Sequence, residues 1–108
     1  ARHVIHAVGP CMGDGDEARK LASAVRASLR LAEAHGLHSI ALPAISTGVF
    51  GYPLESCAEV SLRVILDYTS ERLAHLRHIV VCLYDHHAFG VFEAELRRRL
   101  GLTDGETE

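Results

Sequence analysis

The chain has 108 residues, the size of one small domain, and 48% of them are hydrophobic, which is too many for a disordered chain. Its 11 basic and 14 acidic residues give a net charge of −3, and three of the acids are Asp104, Glu106 and Glu108. The rest of the chain is close to neutral and lacks the basic surface that duplex nucleic acid requires. No apolar run approaches the ~18 residues of a membrane span, and no signal segment opens the chain.

The cysteines and histidines do not form a recognisable reactive or metal-binding set. Cys11, Cys57 and Cys82 have no regular spacing, which argues against a disulfide framework and favours a reducing, cytoplasmic location. None has the neighbouring base that a nucleophile needs, and Cys82 is expected to be buried in its apolar run. The eight histidines show no metal-ligand spacing. We therefore expect no metal and no cofactor.

Three short apolar runs predict buried strands at His3–Val8, Ser39–Pro43 and His78–Tyr84. The third run is continuous rather than alternating, which is typical of a strand covered on both faces in a parallel sheet.

The segments between the predicted strands, and the segment after the last one, have apolar residues at helical spacing. The apolar positions of the first helix are Leu21, Val25, Leu29 and Ala32, with Asp14 or Asp16 as its N-cap and Gly36 as its C-cap. The second helix begins after Pro53, and its apolar side comprises Leu54, Ala58, Leu62, Ile65 and Tyr68. The third follows Tyr84-Asp85, and its apolar face comprises Phe89, Phe92, Leu96 and Leu100.

The order β-α-β-α-β-α predicts an α/β fold, because helical connections between successive strands make those strands parallel. Parallel strands all end at one edge of the sheet, which is the edge where open α/β sheets bind ligands. Three segments meet there in this chain, namely Gly9-Pro10, the turn Ala44–Pro53 and Tyr84–His87.

The turn Ala44–Pro53 is the most informative segment. Gly48 and Gly51 allow it to bend sharply, and consecutive N–H groups before a helix form a nest for an anion. The turn lacks the lysine of a P-loop and the glycine spacing of a dinucleotide fold, so a phosphate would be bound there rather than transferred.

The residues around these glycines allow two interpretations. Ser46 and Thr47 add hydroxyl donors, and Phe50 and Tyr52 could form apolar walls around a phosphate. A plain strand-to-helix turn with two core aromatics explains the same residues, and the pattern alone leaves both interpretations open.

Three ordered pieces of the chain resemble a known family. The segment Ser46–Pro53, preceded by the strand from Ser39, resembles the second phosphate loop of macrodomains, the ADP-ribose-binding modules. Val4–Pro10 resembles the preceding strand of that family, and Tyr84-Asp85 resembles the aromatic-Asp pair at the end of its last strand. The resemblance covers residues 2–100 and is strongest to the MacroD-type branch, whose members hydrolyse ADP-ribosyl esters and O-acetyl-ADP-ribose.

The resemblance implies a set of ligand-binding residues. The diphosphate would be bound, mostly through backbone N–H groups, by Ser46, Thr47, Gly48, Val49, Phe50 and Gly51. Phe50 would also lie against the distal ribose. Tyr84 would pack on the adenine, and Asp85 would help to fix the adenine side of the pocket.

The resemblance also implies a three-layer α/β/α fold with a mixed, mostly parallel sheet. Residues 1–100 would form the C-terminal part of a single macrodomain, and residues 101–108 an acidic, frayed tail. The family's Asn-Ala-Ala-Asn stretch and its glycine-rich loop followed by an acid do not occur in these 108 residues, so no catalytic residue can be named. Because three parallel strands leave two open edges, we expect further strands of the same domain before Ala1.

The intact domain is therefore expected to bind ADP-ribose and to hydrolyse ADP-ribosyl esters or O-acetyl-ADP-ribose. One alternative is a reader that binds ADP-ribose or an ADP-ribosylated protein without turnover. Another is a phosphatase that acts on ADP-ribose 1″-phosphate. All three use the same pocket, so these residues do not separate them. Neither duplex nucleic acid nor a membrane is an expected partner.

Overall fold

The computed structural model describes residues 3–71 and 73–101. Within these residues the elements are α1 (Glu17–Ala34), β1 (Ser39–Pro43), α2 (Leu54–Thr69), β2 (His78–Cys82) and α3 (His86–Leu100). This arrangement confirms the predicted α/β fold with parallel strands connected by helices. Beyond Gly101, the predicted tail lies outside the described residues. No helix in the described part of the chain is long and apolar enough to cross a membrane.

The two strands pair in parallel, from Ser39 opposite His78 to Pro43 opposite Cys82. Helix α2 connects them, as a parallel pair requires. Because the strands run in the same direction and end opposite each other, the segments that follow Pro43 and Cys82 leave the same edge of the sheet.

One face of this sheet packs on the helices, and the other is open. Ile40 and Leu42 of β1 and Ile79 of β2 contact the core, whereas Val80 is 53% exposed. Helix α2 packs against both α1 and α3, so the three helices form one layer. The expectation that the last strand is covered on both faces is therefore wrong for the described residues. Cys82 is exposed rather than buried, because it lies on the face without helices.

The first predicted strand does not form. Residues 3–8 have no strand structure, and the sheet of the described residues contains only β1 and β2. Val4 and Val8 are exposed, while Ile5 packs partly on the core. Apolar, β-branched residues favour a strand, but a strand also needs a neighbour to pair with its N–H and C=O groups. The order along the described residues is therefore α-β-α-β-α.

The helical predictions hold well for α1 and α2, and less well for α3. All the positions predicted to be buried in α1 are buried, and Gly36 ends the helix at φ 69° while Leu37 N–H donates to the Ala32 carbonyl. In α3, Phe92 is buried, but Phe89 and Leu100 are exposed. Helix α3 is an outer member of the layer and packs on α2, so only a narrow stripe of it is covered.

A carboxylate on α1 fixes the segment that leads into β2. Glu33 accepts hydrogen bonds from the backbone N–H groups of Ala74 (2.7 Å), His75 (3.1 Å) and Leu76 (2.8 Å). These bonds, with that from Leu76 as the main cause, lower the pKa of the Glu33 carboxyl. Because Leu76 is buried in the core, Glu33 anchors the entry of β2 to α1.

We predict that Glu33→Gln lowers the melting temperature at neutral pH, because an amide NH2 cannot accept the N–H groups that the second carboxylate oxygen binds. A carboxyl whose pKa is lower in the folded than in the unfolded state stabilises the fold above its unfolded pKa. That contribution is lost as the pH falls through the folded pKa.

Thermal unfolding of wild type and Glu33→Gln, followed by circular dichroism at successively lower pH, measures this effect. The difference in melting temperature should shrink on acidification. Asp67→Asn, an exposed substitution on α2, serves as the control. Two results would contradict the role of Glu33 as an anchor of β2. One is equal melting temperatures of Glu33→Gln and wild type at neutral pH, and the other is a difference in melting temperature that does not change with pH.

Candidate functional site

The loop between β1 and α2 has an unusual backbone. Ser46, Gly48 and Gly51 have φ angles of 72°, 72° and 78°, in the left-handed region. Glycine adopts this conformation readily, whereas for a residue such as Ser46 it costs about 1–3 kcal/mol. Strain of this kind is concentrated at functional sites, where the surrounding structure maintains it.

Hydrogen bonds inside the loop maintain this conformation. Tyr52 N–H donates to the Ser46 carbonyl at 2.9 Å, and Gly51 N–H donates to the Gly48 carbonyl at 2.9 Å. The Thr47 hydroxyl donates to the Ala44 carbonyl at 2.7 Å. The Thr47 hydroxyl hydrogen is therefore used within the turn, although the sequence suggested it as a ligand donor.

The first N–H groups at the centre of the loop are not bonded within its short turn. Residues Gly48–Phe50 form a short 3-10 turn, and the first N–H groups of such a turn have no carbonyl partner within it. A Cβ built on Gly48 would meet no atom within 4 Å. Helix α2 begins directly after Pro53, so the loop leads into the positive end of its dipole. These features suit an anion such as phosphate.

Ser46 is the deepest polar residue of the loop. Its side chain is 7% exposed, and its Oγ has no hydrogen-bond partner among the described residues. Gly9 lies directly against it, because a Cβ at Gly9 would overlap both Ser46 Oγ and the Ile45 side chain. Sequence reasoning placed Gly9 at this edge but not among the site residues. The available signal was a glycine before a proline at the end of an apolar run.

The two aromatic residues of the loop have different environments. Phe50 is 40% exposed and lies at the surface of the loop. Tyr52 is part of the hydrophobic core, so it does not form the wall of a phosphate pocket that the sequence suggested. Burial raises the pKa of its hydroxyl.

The end of β2 contributes the other two predicted residues. Tyr84 is 99% exposed, so its ring is fully available to a ligand. Asp85 caps α3, since its Oδ1 accepts the Ala88 N–H at 2.8 Å. Because β1 and β2 end opposite each other, Tyr84 and the loop lie at the same edge of the sheet. The structure thus brings the predicted residues to one edge, while the Val49 side chain lies outside what it describes.

Cys57 stabilises the start of this loop and is not placed to act as a nucleophile. It is fully buried, and its thiol donates to the Ile45 carbonyl at 3.3 Å. Burial raises the pKa of the thiol, which disfavours the reactive thiolate. The described residues contain no group of three His, Cys, Asp or Glu side chains that could bind a metal ion.

The chain is similar in sequence to one family and to several curated proteins. The Macro domain family matches residues 1–61. An uncharacterised protein of Sulfurisphaera tokodaii is 49% identical over 95% of this chain, which spans 58% of that relative. A protein of Klebsiella pneumoniae named O-acetyl-ADP-ribose deacetylase is 42% identical over 85% of this chain, which spans 53% of that relative. The chain thus spans little more than half the length of these curated relatives.

Solved structures agree with the sequence comparison. A macrodomain from Oceanobacillus iheyensis with MES bound superimposes with a TM-score of 0.82 at 28% identity, covering 87% of this chain and 50% of that one. A Trypanosoma brucei macrodomain in complex with ADP-ribose gives a TM-score of 0.71 at 26% identity, covering 75% of this chain and 35% of that one. With its loop, its parallel strands and these similarities taken together, the chain belongs to the Macro domain family.

Proposed function

We propose that the loop Ser46–Gly51 binds the diphosphate of ADP-ribose. The observation that carries the proposal is the backbone of this loop: Gly48 has a positive φ with no atom near its Cβ position, and its 3-10 turn leads through Pro53 into the start of α2. The Ser46 hydroxyl in the same loop is buried and has no hydrogen-bond partner among the described residues. A site built from backbone N–H groups binds phosphate without a lysine or a metal.

The exposed aromatic rings at this edge suit the two ends of the ligand. In this proposal the half-exposed Phe50 lies against the distal ribose, and the free ring of Tyr84 packs on the adenine. Asp85 fixes the start of α3 directly after Tyr84 and so helps to orient the adenine side of the pocket.

For the full-length protein we propose a cytoplasmic hydrolase that removes ADP-ribose from esters or acetyl from O-acetyl-ADP-ribose. Its support is the 42% identity to a protein named O-acetyl-ADP-ribose deacetylase. In this scheme the residues of this chain bind and orient the diphosphate, and a water molecule attacks the ester. No catalytic residue is assigned within the chain, and segments of the same domain beyond it would supply the remaining groups.

The second candidate is a reader that binds ADP-ribose without turnover. It is favoured by the chemistry of the loop, which has backbone donors and the hydroxyls of Ser46 and Thr47 but no acid or base.

Gly48→Glu should abolish binding of ADP-ribose to the full-length protein, because its carboxylate would occupy and repel the position of the phosphate. Gly48→Ala is the matched control, since it introduces the same unfavourable φ without the charge. Isothermal titration calorimetry measures both. Equal affinities for the two variants would contradict a phosphate position at Gly48.

Tyr84→Ala should weaken ADP-ribose binding by about 1–3 kcal/mol, or roughly 5- to 150-fold in Kd, because a stacking surface for the base is lost. Tyr84→Phe retains the ring and should bind like the wild type. Calorimetry again gives the values, and unaltered affinity in Tyr84→Ala would place the adenine elsewhere.

Incubation of the full-length protein with O-acetyl-ADP-ribose should yield ADP-ribose, detected by chromatography. Gly48→Glu, assayed in parallel, should lose this turnover together with binding. Tight ADP-ribose binding without turnover of this ester or of ADP-ribosylated protein would identify a reader. Release of inorganic phosphate from ADP-ribose 1″-phosphate, with the esters left intact, would instead identify a phosphatase.

A further inference from the structure

A hydrogen bond connects the turn before α1 to the loop between β1 and α2. Met12 N–H donates to the Phe50 carbonyl at 2.9 Å. A Cβ on Gly51 would lie 3.6 Å from Met12 Cβ, so the two segments are in contact there. Gly13 N–H donates to Glu17 Oε2 at 2.7 Å. Residues 12–13 are thus bound to the loop on one side and to a carboxylate on the other.

The acids before α1 act on this turn rather than as ordinary helix caps. Asp14 Oδ2 accepts the Cys11 N–H at 2.8 Å, and Asp14 N–H donates to the Cys11 carbonyl at 3.1 Å. Asp16, at the N-cap position, makes no side-chain bond to the helix and pairs instead with Arg19. The sequence predicted either aspartate as the cap, and the structure assigns neither that role.

Glu17 is well placed to hold the turn in one position. It is the first residue of α1, and the next turn of that helix contains the fully buried Leu21. Its carboxyl pKa is lowered by hydrogen bonds from its own backbone N–H and from that of Gly13, so the carboxylate remains a strong acceptor. Glu17 therefore fixes the position of Gly13 relative to a helix that is packed in the core.

We propose that Glu17 is a positioning residue for the phosphate loop. Through Gly13 and Met12 it holds the Phe50–Gly51 peptide, and with it the turn whose first N–H groups, those of Gly48 and Val49, would bind the ligand. This role rests on the proposed function of the loop. A loop that is already ordered before the ligand arrives avoids the entropic cost of ordering on binding. It therefore binds the ligand more tightly.

Two substitutions distinguish this role from a general effect of charge. An acid in the first turn also interacts favourably with the helix dipole, and that effect depends on its charge. Glu17→Gln removes the charge but keeps a side-chain oxygen that can accept the Gly13 N–H. Glu17→Ala removes both.

The first measurement is amide hydrogen exchange of Met12 and Gly13 in the ligand-free, full-length protein. Glu17→Ala should speed exchange at both amides, and Glu17→Gln should speed it clearly less, because a neutral acceptor remains. Unchanged exchange at Met12 in Glu17→Ala would overturn the proposal, whether or not the protein binds ADP-ribose.

The second measurement is calorimetry with ADP-ribose. Glu17→Ala should bind about tenfold more weakly, as expected for the loss of one hydrogen bond, while Glu17→Gln should be weakened clearly less, because its amide oxygen still accepts the Gly13 N–H. Equal weakening in both variants would indicate charge rather than positioning and would overturn the proposal. Absence of binding in the wild type would refute the function of the loop, and the exchange result alone would then decide the role of Glu17.

Discussion

The left-handed backbone of Ser46 is the constraint on which the site depends. A serine in this conformation is strained, and it persists only because the surroundings fix it from several directions. The Tyr52 N–H holds the Ser46 carbonyl, and the buried Cys57 thiol holds the preceding Ile45 carbonyl. Gly9 fills the space beside the serine, where any larger residue would collide. The reversal of the chain at Ser46 leads directly into the short turn Gly48–Phe50.

The parallel register of the sheet supplies the rest of the geometry. Because β1 and β2 end opposite each other, the phosphate loop and the exposed Tyr84 ring leave the same edge. Helix α2 serves two purposes, since its core face packs on both neighbouring helices while its N-terminus faces the loop. Fold and site are thus produced by the same connection, which runs from β1 through a tight turn into α2.

Sequence reasoning found the elements whose signals are local. The helical spacing of Leu21, Val25 and Leu29 predicted a face that is fully buried, and the glycine pattern of the loop predicted its sharp turn. The wrong predictions concern which segments pair as strands and which faces of the sheet are covered by helices. Both depend on the whole sheet. Residues 3–8 have strand-like composition but no paired neighbour in the described residues, and Cys82 is exposed because helices cover only one face.

The long-range contacts that stabilise the sheet and the site could not have been predicted from the sequence. Glu33 binds backbone N–H groups 41–43 residues away, and Met12 binds the Phe50 carbonyl, so neither contact has a local signature. The aspartates before α1 are common helix caps, and only the structure shows that they bind the neighbouring turn or an arginine instead.

A crystal structure of the full-length protein with ADP-ribose would test the central claim most directly. The account predicts diphosphate oxygens within about 3 Å of the N–H groups of Gly48 and Val49, with the loop backbone unchanged. A bound ligand whose diphosphate lies elsewhere, with the space in front of Gly48 filled by solvent, would contradict it.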